Sequence, residues 1–82
     1  VQCPTLAMFG SKDTQVPPQL CIIPLQSYFS NRSNLLTIKE FNTANHLFQD
    51  ADTGSTSEYS KLKKEFTAGF LDYLGKWLKI NL

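Results

Sequence analysis

The stretch that decides the fold is Thr5-Leu6-Ala7-Met8-Phe9-Gly10, followed by Ser11-Lys12-Asp13-Thr14-Gln15-Val16-Pro17-Pro18. Its first five residues form a short apolar run without alternation, closed by Gly10. That is the pattern of a strand buried on both faces of a parallel sheet. The polar residues that follow read as a loop at the strand's C-terminal end, and the proline pair stops the strand and can open a helix.

Working outward, Leu20, Ile23, Leu25, Tyr28 and Phe29 recur at roughly helical spacing. Pro24 must kink that helix or move its start, so the regular part is predicted from about Pro24 onward. Asn31-Arg32-Ser33-Asn34 is turn chemistry. Leu35-Leu36-Thr37-Ile38-Lys39-Glu40-Phe41 is a second strand, whose two charges suit a position near the sheet edge. A loop from Asn42 to about Ser57 follows.

In the last segment Phe70, Leu71, Leu74, Trp77, Leu78 and Leu82 lie on or beside one helical face and read as core packing, with Thr67 as N-cap. Glu58 to Phe66 reads as a separate short helix or as a continuation of the last one, two pieces being the preferred reading. In the separate piece Tyr59, Leu62 and Phe66 would face inward. Strand, helix, strand, helix predicts an α/β chain: a βαβα unit with two parallel strands, a right-handed crossover and flanking helices.

The bulk numbers narrow the function classes. Eighty-two residues make at most one small domain, with little free energy to spare. The chain opens on Val1 without an initiator Met, and the expectation is a single partial domain over residues 1–82, cut from something longer. A net charge of +1 supplies no field for steering nucleic acid. The uncharged stretch from Thr14 to Asn31 is broken by Pro17, Pro18 and Pro24, so no membrane span is predicted. Cys3 and Cys21 match neither a C-x-x-C nor a zinc pattern and read as buried thiols at opposite ends of the layer, too far apart to pair. One His without paired thiols supports no metal site, and no phosphate-binding glycine pattern calls for a nucleotide cofactor.

In a parallel pair both strands deliver their following loops to the same edge, where open α/β folds place ligands. Asp13 follows the first strand and His46, the chain's only histidine, follows the second. Adjacent strands lie about 4.8 Å apart, so the two side chains can meet. A carboxylate beside an imidazole holds the Nδ1–H tautomer and stabilises the imidazolium when the other nitrogen takes a proton from a nucleophile. Each residue also has an ordinary alternative. Asp13 could satisfy backbone N–H groups in its own turn, and His46 could be a packed loop histidine. Asp50 and Asp52 compete for the acid role but lie where the chain is heading away. Ser11, Ser55 and Ser57 lack the strained strand-to-helix setting of a nucleophile.

At these residues a family resemblance appears. Gly10-Ser11-Lys12-Asp13-Thr14-Gln15-Val16-Pro17-Pro18 resembles the acid loop of α/β-hydrolases. Asn45-His46-Leu47-Phe48-Gln49 resembles the histidine loop of a bacterial serine-esterase branch, itself similar to the catalytic domains of prolyl-oligopeptidase-like proteins. Thr53-Gly54 with Glu58-Tyr59, and Leu71-Asp72-Tyr73-Leu74 with Trp77-Leu78, resemble that branch's usual ending. Pro24 and Glu65 depart from its pattern. The resemblance implies the C-terminal part of an α/β-hydrolase domain, carrying the acid (Asp13) and base (His46) of a Ser-His-Asp triad. The nucleophile would lie upstream, in the chain order Ser, Asp, His.

The parent would be a serine hydrolase acting on a small-molecule ester or related acyl bond, and the isolated piece would be silent. The rival expectation is a non-catalytic βαβα interaction or oligomerisation module. In either case a two-stranded parallel sheet is predicted to self-associate or to pair with the rest of its domain.

Overall fold

The computed structural model describes residues 3–82; Val1, on which the expectation of a cut chain drew, lies outside the described residues. The first strand, β1 (Thr5–Gly10), pairs in parallel with the second, β2 (Leu36–Phe41), in the register Thr5 to Leu36 through Gly10 to Phe41. The ladder runs on into the following loop, where the Ser11 N–H donates to the Phe41 carbonyl at 2.9 Å. Both strands therefore end at the same level, and the loops carrying Asp13 and His46 leave side by side. Mixed α/β character with a two-stranded parallel sheet is the observed architecture.

The crossover helix α1 (Pro18–Tyr28) begins six residues before the expected start at Pro24. The reason lies in the proline pair. Pro17 sits at the N-cap with φ −61° and Pro18 fills the first helical position, where a missing N–H costs nothing. Pro24 is accommodated inside the helix, forgoing one bond to the preceding turn. The helix ends where the Phe29 N–H donates to the Leu25 carbonyl at 3.0 Å. Its predicted inner face is only partly inward: Phe29 is buried and Leu25 half-buried, but Leu20, Ile23 and Tyr28 are exposed. Two 3-10 turns across Ser30–Leu35, broken at Arg32, lead into β2.

The C-terminal half departs from its expectations in three places. Thr56–Lys61 forms a 3-10 turn, shorter than the helix expected over Glu58 to Phe66, and the Ser55 hydroxyl caps it by accepting from the Ser57 N–H. Tyr59 and Leu62 are half-buried there, while Phe66 is half-exposed and stacks on Phe70. The last helix, α2 (Phe70–Asn81), takes Gly69 as N-cap at φ 87°, not Thr67, whose hydroxyl is engaged elsewhere. Its inward side also differs. Phe70 is buried and Leu74 and Trp77 are half-buried, but Leu71, Leu78 and Leu82 are exposed, and Tyr73 packs on the core in their place. Aromatic contacts at the helix's first turn set this rotation: Phe70 lies 4.6 Å from the Phe48 ring and 5.7 Å from Phe41, with Tyr73 edge-on to Phe41.

The core is correspondingly small. Phe41, Ala44 and Phe70 form its centre, with Met8, Phe48 and Tyr73 packed against it. The strand β1 is half-buried along most of its length, not covered on both faces as expected, because among the described residues neither helix packs closely on it. A radius of gyration of 13.9 Å exceeds the roughly 11.7 Å expected of a compact chain of this length. Cys3 is exposed and Cys21 partly so, both free. They are not buried thiols: Cys3 precedes β1 at the surface, and among the described residues of α1 only Pro18 is buried. No helix among the described residues is long and apolar enough to cross a membrane.

Candidate functional site

Asp13 and His46 meet at the C-terminal ends of the two strands, with Oδ2 of Asp13 3.0 Å from Nδ1 of His46. The other carboxylate oxygen is used within the loop. Oδ1 accepts from the Gln15 and Val16 N–H groups, each at 2.8 Å. The turn-forming use of Asp13 and its pairing with histidine are therefore both present, one on each oxygen. Asp13 is buried, while the His46 side chain is 39% exposed.

Burial pushes the Asp13 carboxyl up. Donation from the Val16 N–H, from His46 and from the Gln15 N–H, together with the charge of the imidazole, outweighs that and holds it below the usual carboxylate range. Asp13 is thus an anion near neutral pH and can only accept. A neutral His46 must then carry its proton on Nδ1, which leaves the Nε2 lone pair directed elsewhere. Nε2 has no hydrogen-bond partner among the described residues.

Two glycines let the loops approach this closely. A Cβ on Gly10 would lie 2.4 Å from the Ala44 carbonyl oxygen and 2.5 Å from that of Asn45, so only glycine lets β1 end against the histidine loop. Gly54, at φ 85°, sits under the acid loop, where a Cβ would lie 1.7 Å from the Lys12 carbonyl oxygen. Around that contact Lys12 donates its N–H to the Ala44 carbonyl at 2.9 Å and its Nζ to the Ala51 carbonyl at 2.8 Å. Thr14 donates to the Gly54 carbonyl at 3.1 Å, and the Gln15 side chain donates to the Tyr59 hydroxyl at 2.6 Å. Glu58 fixes the turn from below by accepting from the Thr53 and Gly54 N–H groups. Those bonds hold the Glu58 carboxyl below its ordinary range.

The histidine loop is a tight seven-residue excursion. An antiparallel bridge between Ala44 and Asp50 closes its base, Asn45 fills its interior, and Phe48 adopts φ 58°. Thr67, which sequence reasoning placed at a helix cap, ties this loop to α2. Its N–H donates to the Phe48 carbonyl at 2.6 Å, and its hydroxyl donates to Asp50, which also accepts from Thr43. Hydrogen bonds from Thr67 and Thr43 keep the Asp50 carboxyl below its ordinary range. Asp50 is committed to that contact and not to His46; neither it nor Asp52 approaches the imidazole among the hydrogen bonds of the described residues. The part played by Gly54, Tyr59 and Thr67 escaped the sequence reading. The Asp52-Thr53-Gly54-Ser55 run signals a turn but not what the turn supports.

Among the described residues, none of Ser11, Ser55 and Ser57 hydrogen-bonds the imidazole. Ser11 donates to Glu40 at 2.6 Å, and Ser55 bonds Ser57 at 2.9 Å. A cavity of about 160 Å³ opens beside the histidine loop, lined by Leu47, Gln49, Lys64, Glu65 and Phe66. That is below the roughly 300 Å³ at which ligand pockets begin. No group of three His, Cys, Asp or Glu side chains able to hold a metal ion occurs among the described residues. The arrangement can orient an imidazole and move a proton through Nε2. In comparisons with known proteins, no family model, no curated protein and no solved structure matches the chain.

Proposed function

We propose that this chain is the C-terminal part of an α/β-hydrolase domain and supplies the acid and base of a serine hydrolase acting on an ester or related acyl bond. One observation carries the reading: a buried, ionised Asp13 holds Nδ1 of His46 at 3.0 Å, at the shared edge of two parallel strands, and leaves Nε2 open. In that role Nε2 takes the proton of a nucleophile's hydroxyl, Asp13 stabilises the imidazolium, and His46 then returns the proton to the leaving group. The nucleophile and oxyanion-hole donors belong to strands that would pair along the free edge of β1. Without them the tetrahedral intermediate has nothing to stabilise it, and the chain alone is silent.

A second reading, a non-catalytic interaction module, draws on the exposed apolar residues of both helices and the unpaired strand edges.

The two readings separate on the coding sequence 5′ of Val1 and on activity. The first expects a G-x-S-x-G between a strand and a helix, and p-nitrophenyl ester hydrolysis by the continuous protein that a fluorophosphonate abolishes. Asp13→Asn should lower that rate by roughly 10⁴-fold, because the amide presents an N–H to Nδ1 and favours the wrong tautomer. Absence of the elbow, hydrolysis that survives His46→Ala, or fluorophosphonate-sensitive hydrolysis by the 82-residue chain alone would each remove the proposal.

A further inference from the structure

Between Ala44 and Asp50 the chain must turn back within seven residues while keeping an imidazole aimed at Asp13. Two backbone donors in that turn, the N–H groups of Leu47 and Gln49, meet no backbone carbonyl among the described residues. The side-chain oxygen of Asn45 takes both, at 2.9 and 3.0 Å. The Asn45 main chain closes the same turn from its other side: its N–H donates to the Gln49 carbonyl at 3.0 Å, and its carbonyl accepts from the Phe48 N–H at 3.1 Å. Asn45 is 0% exposed and is the one large side chain fully buried among the described residues. Its carbonyl oxygen also lies where a Cβ on Gly10 would fall, so the loop's position is referenced directly to the end of β1.

We infer that Asn45 is a positioning residue for His46. Its buried amide oxygen gathers the turn so that the imidazole stands with Nδ1 toward Asp13. The inference rests on the reading of His46 as a base, and it concerns how that base is held.

The chemistry of the amide supports an acceptor role specifically. Two N–H groups converge on one atom, which fixes that atom as oxygen and the other as nitrogen. The nitrogen, Nδ2, is buried and has no hydrogen-bond partner among the described residues. Burying an unpaired donor is unfavourable. What the position uses is therefore the acceptor alone, without charge. A serine hydroxyl is shorter and would reach at most one of the two N–H groups. An aspartate offers the same two-fold acceptor but adds a second anion one residue from His46.

The test reads the imidazole and not turnover. In uniformly ¹⁵N-labelled protein, at a pH where His46 is neutral, long-range ¹H–¹⁵N correlations give the ratio of the Nδ1–H to the Nε2–H tautomer. The wild type should show Nδ1–H in excess. Asn45→Ala should lower that ratio about tenfold or more, since the bond from Nδ1–H to a charged acceptor is lost when the loop relaxes. The amide shifts of β1 and β2 should stay in place. Asn45→Ser, which adds no charge and keeps at most one of the two bonds, should lower the ratio as well.

A wild-type chain without Nδ1–H excess would overturn the reading of the site as a whole. A wild-type excess unchanged in Asn45→Ala would overturn the role of Asn45 and leave the site reading standing. Should Asn45→Ala not fold, Asn45→Ser decides: a lowered ratio supports the two-fold acceptor role, and an unchanged one overturns it.

Discussion

Replacing Gly54 by alanine strikes the acid loop without replacing any side chain that bears a charge or a catalytic proposal. Two costs apply. The first is conformational: φ is 85°, and a Cβ in the left-handed region costs about 1–2 kcal/mol. The second is a collision, because the new carbon would stand 1.7 Å from the Lys12 carbonyl oxygen, which is backbone and has no rotamer to escape into. Restoring an ordinary contact requires the acid loop and the Gly54 turn to part by about 1.5 Å. That separation breaks the Thr14 hydroxyl bond to the Gly54 carbonyl and strains those from the Lys12 N–H to Ala44 and Lys12 Nζ to Ala51. At about 1 kcal/mol each, the loss adds roughly 2–3 kcal/mol, for a total of about 3–5 kcal/mol.

Gly69 provides the internal comparison. It has φ 87° but nothing within 4 Å of its would-be Cβ, so Gly69→Ala should cost only the conformational 1–2 kcal/mol or so. Urea denaturation followed by circular dichroism measures both variants. If Gly54→Ala lies within about 1 kcal/mol of Gly69→Ala, the close packing of the acid loop on this turn is refuted.

Three further outcomes follow from the same geometry. Asp13 has its folded pKa below the unfolded value, so its contribution to stability is present above about pH 4 and is lost as pH falls through the folded value. Urea midpoints measured across acid pH should therefore fall below about pH 4, and Asp13→Asn should flatten part of that slope; an identical slope in the variant would contradict the assignment. Thr67→Val removes a donor to an exposed carboxylate and should cost about 1 kcal/mol, while the Asp50 carboxyl, followed by NMR titration, moves back up toward its ordinary range. Cys3, being exposed, should react with a disulfide reagent such as DTNB well before Cys21 in the native protein, and equal rates would contradict the packing at α1.

What could be read from the sequence was the part governed by short-range pattern and by topology. The unbroken apolar run ending at Gly10 placed β1, and a parallel partner then required Asp13 and His46 to emerge together, without knowledge of either side chain's geometry. What escaped the reading depended on three-dimensional neighbours. Helical periodicity alone could not say that Tyr73, and not Leu71 or Leu78, would face the core, because the Phe41 and Phe48 rings that turn the helix come from another segment. Thr67 was read as a local cap, yet a hydroxyl with both a helix end and a carboxylate within reach took the carboxylate. Pro24 outweighed the Pro17-Pro18 pair in the sequence reading, although a proline at the first helical turn is favourable and one internal proline can be tolerated at a cost.

The support of the acid loop also has a meaning in time. Lys12, Thr14 and Gln15 lean on partners 39, 40 and 44 residues later in the chain. During synthesis at about 5–20 residues per second, the loop bearing Asp13 emerges several seconds before the Gly54 turn and Tyr59 that hold it. His46 precedes those partners too, so acid and base both exist as loose ends until the residues near Tyr59 arrive. Any ribosomal pause between Asp13 and Phe41 would lengthen the interval in which the β1 edge that β2 takes is open and free to pair with the wrong chain.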